Sequence, residues 1–308
     1  MRLGIDFGGT KIEGVMLDDG GVERARARLA TPRHDYAGCL TAITDLVTRL
    51  EGQVGAGATR IGVGVPGAVD RRRGTVSLGN ATWLHDRMLG DDLSDALGRP
   101  VRIANDANCF ALSEARDGAG AGAEVVMGVI LGTGVGGGVV VRGQLVEGRN
   151  AVTGELGHVP LPMPTAEEMP GPICSCGRRG CAEAWLSGPA LAADHARVNG
   201  EGHTPTAAEI VAAAEAGDGA AEATLTRYED RLGRVLALPV NLIDPDVIVL
   251  GGGLSNVGRF YRTVPRAMAP HIFGPRFETR LVRNRFGDSS GVRGAAWLWD
   301  AEAELAEA

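Results

Sequence analysis

Short apolar runs that end in glycine alternate along this chain with longer stretches of helical periodicity. Residues 3–7 and 12–17 are such runs and predict two strands joined by a tight turn. Apolar positions recur every three or four residues within 36–50, which predicts a helix. This alternation predicts an α/β fold. The same patterns predict further strands at 61–65, 101–104, 125–131, 139–142 and 247–250, and further helices at 91–97, 107–116, 206–216, 220–243 and 291–305.

A glycine- and alanine-rich stretch at residues 118–123 divides the pattern into two parts. The plan of strand, glycine-rich turn and strand that opens the chain returns at 125–142. With 308 residues, the chain is long enough for two lobes. The expected organisation is a small lobe at 1–117, a large lobe at 118–286 and a C-terminal helix at 287–308 that packs back on the small lobe.

The chain carries 31 basic and 38 acidic side chains, which gives a net charge of −7. This charge argues against non-specific binding to nucleic acid or to a membrane surface, because both need a basic face. The sequence enters a strand-like segment directly after Met1, and no apolar run approaches the roughly 18 residues of a membrane span. We expect a soluble, cytoplasmic protein whose five cysteines do not form a disulfide framework.

The first glycine-rich turn combines features that suit a phosphate group. Its two glycines let the backbone approach an anion closely, while a threonine offers a hydroxyl and a lysine offers a charge. The acidic residue at the end of the preceding strand is placed to hold Mg²⁺ through water. The segment lacks the Walker A spacing, and an ordinary glycine-rich hairpin is the alternative. The candidate residues are Asp6, Gly8, Gly9, Thr10 and Lys11.

A second glycine-rich turn spans residues 132–138. Gly132, Gly134 and Gly137 match the spacing of a dinucleotide-binding loop, but such a loop needs a helix directly after it. The valines that follow predict a strand, so we reject dinucleotide binding and favour a second hairpin that holds phosphates. Two unrelated tight turns are the alternative.

A third glycine cluster, Gly251, Gly252 and Gly253, ends the apolar run at 247–250. Without side chains, the backbone there can pack against a flat or charged ligand such as a nucleoside. A plain turn from strand to helix explains this segment equally well.

Asp106 follows a predicted strand and precedes a predicted helix. An isolated Asp in that position is more often the N-cap of the helix. The functional alternative is a general base that accepts a proton from a sugar hydroxyl. Phosphoryl transfer has a loose transition state in which positioning matters more than basicity, so a weakly basic carboxylate suffices.

Three cysteines lie close together in an irregular loop, with the spacing Cys174-x-Cys176-x₄-Cys181, downstream of His158. Three thiolates and one imidazole make a closed tetrahedral site, which predicts structural rather than catalytic zinc. A set of buried or reactive thiols is the alternative.

Glu155 and Glu183 flank this metal loop in the sequence. Carboxylates at these positions are candidates to accept hydrogen bonds from sugar hydroxyls. A solvated surface position is the alternative for each of them.

Together, these motifs resemble the ROK family of bacterial sugar kinases and repressors. The resemblance covers essentially the whole chain and implies a two-lobed, actin-like ATPase fold of the hexokinase, actin and Hsp70 type, with an active-site cleft between the lobes. The segments that carry it are D-F-G-G-T-K at 6–11, N-D-A-N at 105–108, G-T-G-V-G-G-G at 132–138, G-E-x-G-H at 154–158, C-x-C-G-x-x-G-C at 174–181 and G-G-G at 251–253.

The resemblance also implies roles for single residues. Asp106 is implied as the catalytic base, and His158 is implied to serve both the zinc ion and the sugar. ATP, with Mg²⁺ near Asp6, is implied to contact Gly8, Gly9, Thr10, Lys11, Gly132, Thr133, Gly134, Gly136, Gly137, Gly251, Gly252 and Gly253. The sugar is implied to contact Gly67, Asn80, Asn105, Asp106, Glu155, His158 and Glu183.

Within the family, residues 80–84, 105–114, 244–253 and 287–299 resemble the bacterial fructokinases. The expected reaction therefore converts MgATP and D-fructose to ADP and fructose 6-phosphate, with mannose, glucose or N-acetylglucosamine as alternative substrates. A homodimer is the usual state in the family and is expected here.

Two rival functions belong to other classes of protein. The family's repressors need a DNA-binding helix-turn-helix ahead of Asp6, and only five residues precede it, so we do not expect a repressor. A non-catalytic scaffold of the actin class needs neither Asp106 nor the zinc ligands, and the presence of both argues against it.

Overall fold

The computed structural model describes residues 1–70, 74–77, 82–200 and 205–300, and the chain divides into two compact units. Unit 1 comprises Met1–Gly122, Gly138–Thr153 and Arg285–Ala308, and unit 2 comprises Ala123–Gly137 and Gly154–Asn284.

Residues 138–153 belong to unit 1, although the expected organisation placed them in the large lobe. The reason is a close contact inside unit 1. A Cβ atom on Gly138 would lie 2.9 Å from the carbonyl oxygen of Ala107 and 2.9 Å from the Cβ of Ala111.

Strands and helices alternate through the described part of the chain, which confirms the predicted α/β class. The strands are β1 Arg2–Phe7, β2 Lys11–Leu17, β3 Glu23–Ala30, β4 Arg60–Val65, β5 Ala68–Asp70, β6 Thr75–Ser77, β7 Val101–Asn105, β8 Val125–Leu131, β9 Val135–Val141, β10 Gln144–Leu145, β11 Val247–Gly251 and β12 Arg280–Arg283. The helices are α1 Tyr36–Val54, α2 Leu89–Leu97, α3 Asp106–Arg116, α4 Glu183–Leu186, α5 Gly188–Asn199, α6 Ala207–Glu215, α7 Gly219–Ile243, α8 Phe260–Met268 and α9 Ser290–Trp297.

The main sheet of unit 1 has the strand order β3-β2-β1-β4-β7. β1 pairs antiparallel with β2, and β2 with β3, whereas β1, β4 and β7 run parallel. Parallel strands bring their carboxyl ends to the same edge of a sheet. Asp6 in β1 and Asn105 at the end of β7 therefore lie at one edge.

Helix α1 packs against β2 and β3 of this sheet. It begins after Asp35, whose side chain accepts a hydrogen bond from the amide of Gly38, and it ends at Gly55 with a φ of 71°. Leu46 and Leu50 of α1 are buried against β2. The apolar face that the sequence predicted for this helix is thus its core-facing side.

Helix α9 packs against β1, β4 and α3 within unit 1. Three glycines permit this approach: Gly4 and Gly62 lie against α9, and Gly294 in α9 lies against Cys109 of α3. A Cβ atom at any of these positions would overlap backbone atoms of the neighbouring element.

The second sheet has the strand order β10-β9-β8-β11-β12, with β8, β11 and β12 parallel. All five residues of β11 are buried. Helix α7 has 25 residues and packs against α6 and α8. Its buried Tyr228 stacks on Phe260 of α8, with ring centroids 5.3 Å apart.

The second glycine-rich turn is shorter than predicted, because β9 begins at Val135 and includes Gly136 and Gly137. A Cβ atom on Gly137 would lie 2.8 Å from the carbonyl oxygen of Gly154 and 3.0 Å from that of Gly128. These contacts show that Gly137 permits close packing of a strand rather than forming part of the turn.

The helix predicted at 291–305 is shorter in the structure, where α9 ends at Trp297, and residues 301–305 lie outside the described residues.

Among the described residues, no helix has the length and apolar character needed to cross a membrane.

Candidate active site

In unit 1, a tight turn joins β1 and β2 directly after Asp6. The amide of Gly8 donates to the carbonyl oxygen of Lys11 at 2.9 Å. Thr31, the residue after β3, holds the turn from outside. Its hydroxyl donates to the carbonyl oxygen of Gly8 at 2.7 Å, and its amide donates to that of Thr10 at 3.0 Å. The first predicted phosphate turn is therefore fixed by three hydrogen bonds.

Asn105, and not Asp106, caps helix α3. Its Oδ1 accepts from the amides of Ala107 and Asn108 at 2.9 and 3.2 Å. Its Nδ2 donates to the carbonyl oxygen of Gly67 at 2.9 Å, so two residues that the resemblance assigned to the sugar are joined. Asp106 is the first residue of the helix and is half-buried, and its Oδ1 accepts from the amide of Ala107 at 2.8 Å.

The carboxylates of Asp6 and Asp106 lie close enough for their charges to interact. Burial and then the charge of Asp106 raise the pKa of Asp6 to about 7, and Lys11 opposes this rise. Carboxylate oxygens are the ligands that Mg²⁺ prefers, so the chemistry of Asp6 suits a divalent cation. Asn80, the remaining predicted sugar contact of this half of the chain, lies outside the described residues.

In unit 2, the side chain of Glu183 joins the second glycine turn to the cysteine loop. Its Oε2 accepts from the amide of Val135 at 3.0 Å, and its Oε1 accepts from the hydroxyl of Ser175 at 2.8 Å. A Cβ atom on Gly134 would lie 2.7 Å from Oε2, so a larger residue there would displace the carboxylate of Glu183.

The glycine turn after β11 lies against the turn after β8. Gly252 has a φ of 77°, and a Cβ atom there would lie 2.5 Å from the carbonyl oxygen of Leu131. These two turns contribute Gly132, Thr133 and Gly253 to the lining of a cavity of about 640 Å³. Three residues predicted to contact ATP from separate parts of the sequence thus lie around one cavity.

The opposite side of this cavity was not predicted from the sequence. It is formed by Pro189 at the start of α5 and by Ala208, Val211 and Ala212 of α6. The sequence contains only a weak indication of this cavity wall. Helix α6 carries small or β-branched residues on one face, where a core-facing helix usually carries Leu or Phe. A wide apolar cavity beside glycine turns suits a flat ligand such as a nucleobase.

The four predicted metal ligands converge in unit 2. The ligand atoms of His158, Cys174, Cys176 and Cys181 all lie within 4.8 Å of one another. Sγ of Cys174 lies 3.5 Å from Nδ1 of His158, and Sγ of Cys176 lies 3.7 Å from Sγ of Cys181. Tetrahedral zinc, with bonds of about 2.3 Å to sulfur and about 2.0 Å to nitrogen, needs separations of about 3.8 and about 3.5 Å. The geometry therefore fits zinc.

Charged neighbours adjust the groups around this loop. A hydrogen bond from Arg178 lowers the pKa of the Cys176 thiol to about 6, which favours the thiolate that a metal needs. Burial and the charge of Glu183 raise the pKa of Glu155, while His158 opposes the rise. The amide of His158 donates to the carbonyl oxygen of Glu155 at 3.1 Å, and Sγ of Cys174 lies 3.5 Å from Nδ1 of His158 and 3.7 Å from Oε1 of Glu183. The three predicted sugar contacts of this unit therefore lie near one another.

The sequence matches known proteins over almost its whole length. The model of the ROK family matches residues 2–302. An N-acetyl-D-glucosamine kinase of Yersinia pseudotuberculosis is 40% identical over 306 residues, which cover 98% of this chain and 100% of that protein. The N-acetyl-D-glucosamine kinase of Vibrio cholerae is 39% identical over 302 residues, which cover 97% of this chain and 99% of that protein.

Solved structures lead to the same class of protein. The ROK hexokinase from Thermus thermophilus superposes with a TM-score of 0.87 at 33% identity, over 100% of this chain and 99% of that one. A ROK family glucokinase from Streptomyces griseus, in complex with glucose and AMPPNP, has a TM-score of 0.76 at 30% identity, over 96% of this chain and 98% of that one.

The fold and the site together define a sugar kinase of the two-lobed, actin-like ATPase architecture, which uses ATP to phosphorylate a hexose. The chain belongs to the ROK family. The predicted fold class and family are thereby confirmed.

Proposed function

We propose that this enzyme transfers the terminal phosphoryl group of MgATP to the 6-hydroxyl of a hexose, with Asp106 as the general base. The observation that carries the proposal is the position of Asp106, which begins α3 at the same sheet edge as Asp6 while Asn105 caps the helix. Asp106 accepts the hydroxyl proton as the sugar oxygen bonds to the terminal phosphorus. The bond from that phosphorus to the bridging oxygen breaks, and ADP leaves.

We assign the phosphate charge to the turn between β1 and β2. Its backbone is fixed by Thr31, and Lys11 brings a positive charge beside it. Asp6 would hold Mg²⁺ through water, and the bound cation would neutralise negative charge on the phosphates. A turn that is already rigid loses little conformational freedom when it binds an anion.

We assign the base and ribose of ATP to the cavity in unit 2. Support comes from its volume of about 640 Å³, its apolar lining and the two glycine turns that open onto it. That volume lies in the ordinary range for small-molecule sites. The Streptomyces griseus relative was crystallised with an ATP analogue, which agrees with this assignment.

We assign structural zinc to His158, Cys174, Cys176 and Cys181. Structural zinc contributes on the order of 10 kcal/mol in small modules, enough to order a loop that is otherwise poor in regular structure. His158 directs Nδ1 toward the cysteines, and Glu183 bonds to Ser175 within the loop. The zinc would therefore order two of the residues assigned to the sugar.

For the hexose we propose D-fructose, on the resemblance of residues 80–84 and of three later segments to the bacterial fructokinases. N-acetylglucosamine is the second candidate, because the relatives at 39 and 40% identity over almost the whole chain are N-acetyl-D-glucosamine kinases. Both sugars carry a hydroxyl on C6, so Asp106 serves either. The difference lies in a few hydrogen bonds to the other hydroxyl groups.

Release of ADP, measured with MgATP and fructose, mannose, glucose or N-acetylglucosamine, tests both the proposed reaction and the choice of hexose. We expect kcat/KM for fructose to exceed the others by about 10-fold or more, the discrimination that a few hydrogen bonds supply. A preference for N-acetylglucosamine would replace fructose by the second candidate. Absence of hexose-dependent ADP release with all four sugars would contradict the proposed reaction.

A further inference from the structure

A row of charged side chains crosses one face of the main sheet of unit 1. Strand pairing places Asp6 opposite Glu13 and Glu13 opposite Arg28. Directly opposed residues point to the same face of a sheet. Lys11 points there too, because it lies two residues from Glu13 on the same strand. The row therefore runs from Asp6 to the edge strand β3.

Glu13 lies at the centre of this row and is almost fully buried, with 1% of its side chain exposed. Its Oε1 accepts from Arg26 at 2.6 Å, and its Oε2 accepts from Arg28 at 2.8 Å and lies 3.6 Å from Nζ of Lys11. Burial alone would raise the pKa of Glu13, but the hydrogen bonds from Arg26 and Arg28 outweigh it and lower the pKa. Glu13 is therefore an anion with three cations around it.

The three cations are not equivalent. Arg26 also binds Glu23 at 2.6 Å, so it is shared between two carboxylates. Arg28 is 53% exposed and Lys11 is 41% exposed, so both side chains are accessible at the surface. Each also forms an ion pair with the buried carboxylate of Glu13. Arg28 and Lys11 are thus the two cations of the row that share Glu13 as their carboxylate and remain exposed.

We propose that Arg28 is a further phosphate-binding residue, and that Glu13 is the positioning residue that directs Arg28 and Lys11 toward the phosphates of the nucleotide. The inference rests on the proposed function, which takes the turn after Asp6 as the phosphate site. A guanidinium has five N–H donors, so its bond to Glu13 leaves donors for a phosphate oxygen. The competing explanation is that these charges only protect the edge strand from pairing.

The decisive comparison is Arg28→Ala against Arg24→Ala. Arg24 is a matched control, because it lies on the same strand, is also 53% exposed and also pairs with a carboxylate, that of Asp18. The readouts are KM for MgATP, KM for the hexose, and the inhibition constants of tripolyphosphate and of adenosine, both measured in competition with MgATP.

For Arg28→Ala we expect KM for MgATP and the inhibition constant of tripolyphosphate to rise by about 10-fold, the effect of one charge-assisted hydrogen bond. The adenosine constant and KM for the hexose should stay within about twofold of the wild type, since Arg28 is assigned to phosphate alone. Arg24→Ala should leave all four values within the same limit, and Arg28→Lys should give an intermediate effect.

Glu13→Gln should shift the tripolyphosphate constant in the same direction, and thermal melting shows whether it folds. If it does not fold, the exposed Arg28 variants still decide the question. A tripolyphosphate constant for Arg28→Ala within about twofold of the wild type would show that the row only protects the edge strand. If the wild type releases no ADP with any hexose, the proposed function fails instead. In that case, calorimetric titration of tripolyphosphate into the wild type and into Arg28→Ala tests the role of Arg28 separately.

Discussion

At the scale of single residues, Asn105 caps helix α3 and leaves Asp106 for the role of general base that we propose, a distinction that the sequence alone could not make. Both follow a strand and precede a helix, so either is a candidate cap. In the structure, Asn105 accepts from two amides at the start of α3, while Asp106 begins that helix at the same sheet edge as Asp6. A cap needs only a hydrogen-bond acceptor, whereas a general base needs a group that can bind a proton. The amide and the acid are therefore each in the position that suits their chemistry.

Replacing Asp106 by Asn keeps the size of the side chain and removes the base. We expect kcat with the preferred hexose to fall by about 10²- to 10⁴-fold, the usual contribution of general base catalysis. The thermal midpoint should change little, because Asn105 keeps the cap. Asp45→Asn, at an exposed position of α1, is the control. Turnover by Asp106→Asn close to that of the control would remove Asp106 from this role.

The metal ligands were easier to predict than the contacts of the carboxylates. His158 and three cysteines were identified from spacing, because zinc ligands carry their own chemistry and lie close together in sequence. The bonds that Glu183 makes to Val135 and Ser175 join residues from separate elements, and no local pattern encodes them. The proposed contact of Glu183 with the sugar stays a prediction.

At the scale of elements, the buried carboxylate of Glu168 connects the irregular loop that contains the three cysteines to helix α7. Glu168 is 7% exposed, and its Oε1 accepts from Arg231 and from Arg234, both at 2.8 Å. Burial alone would raise the pKa of Glu168, but the hydrogen bonds from Arg234 and Arg231 outweigh it and hold the pKa at about 2. In the sequence, this glutamate resembles any surface residue of a proline-rich loop.

Glu168→Gln should destabilise the protein, because Arg231 and Arg234 each lose a buried carboxylate partner and keep only a second one, Asp194 and Asp230 respectively. We expect the free energy of unfolding near neutral pH to fall by about 3 kcal/mol, the cost of breaking a buried ion pair. Urea denaturation measures this loss. Glu167→Gln is the matched control, since Glu167 is the preceding residue and is exposed. Equal midpoints for the two variants would show that the buried cluster contributes nothing.

The stability of the wild type and of Glu168→Gln should also depend differently on pH. The pKa of Glu168 in the folded protein, about 2, lies below its ordinary value of 4.5. Its charge therefore contributes stability that is fully present above about pH 4.5 and is lost as the pH falls toward 2. The gap in unfolding free energy between wild type and Glu168→Gln should narrow between about pH 5 and about pH 3. A gap that stays constant over this interval would contradict the assignment.

The proposed zinc site leads to a separate prediction about the metal content of the protein. We expect purified protein to contain about one zinc ion per chain and Cys176→Ser to contain almost none, because a closed site needs all four ligands. Cys39→Ser, at a buried cysteine of α1, should retain the zinc. Atomic absorption measures both. Equal zinc content in the two variants would place the metal elsewhere or show that Cys176 is not a ligand.

Strand β3 shows why some elements could not be predicted. Its sequence, Glu23–Ala30, alternates arginine with alanine and offers no row of large apolar residues. It becomes a strand because β2 supplies a complete pairing edge, and because Glu13 gives two of its arginines a buried partner. Both causes lie outside the segment itself.

At the scale of the whole molecule, unit 1 is assembled from segments that are far apart in sequence. The order of apolar runs was enough to predict an α/β fold and two lobes. The membership of residues 138–153 in unit 1 depends on contacts of Gly138 with α3 and could not be predicted from periodicity. Helix α9 completes the unit by packing against β1, β4 and α3.

Two glycines of α9 give a matched test of this packing. A Cβ atom on Gly294 would overlap backbone of Cys109, whereas one on Gly291 would meet no heavy atom within 4 Å. We expect Gly294→Ala to lower the free energy of unfolding by about 1–3 kcal/mol, as overpacking does. Gly291→Ala should leave it unchanged or raise it by up to about 1 kcal/mol, since alanine favours helix. Equal effects in thermal or urea unfolding would contradict the close approach of α9.

The position of α9 in the chain bears on how the protein is made. The ribosome releases residues 123–137 and 154–284 before it releases residues 285–300, so unit 2 is available in full while unit 1 still lacks the helix that covers β1. Nascent chains fold in the order in which complete domains emerge. Strand β1 therefore remains without the helix that covers it until residues 285–300 have been synthesised, and until then its apolar face is available to chaperones.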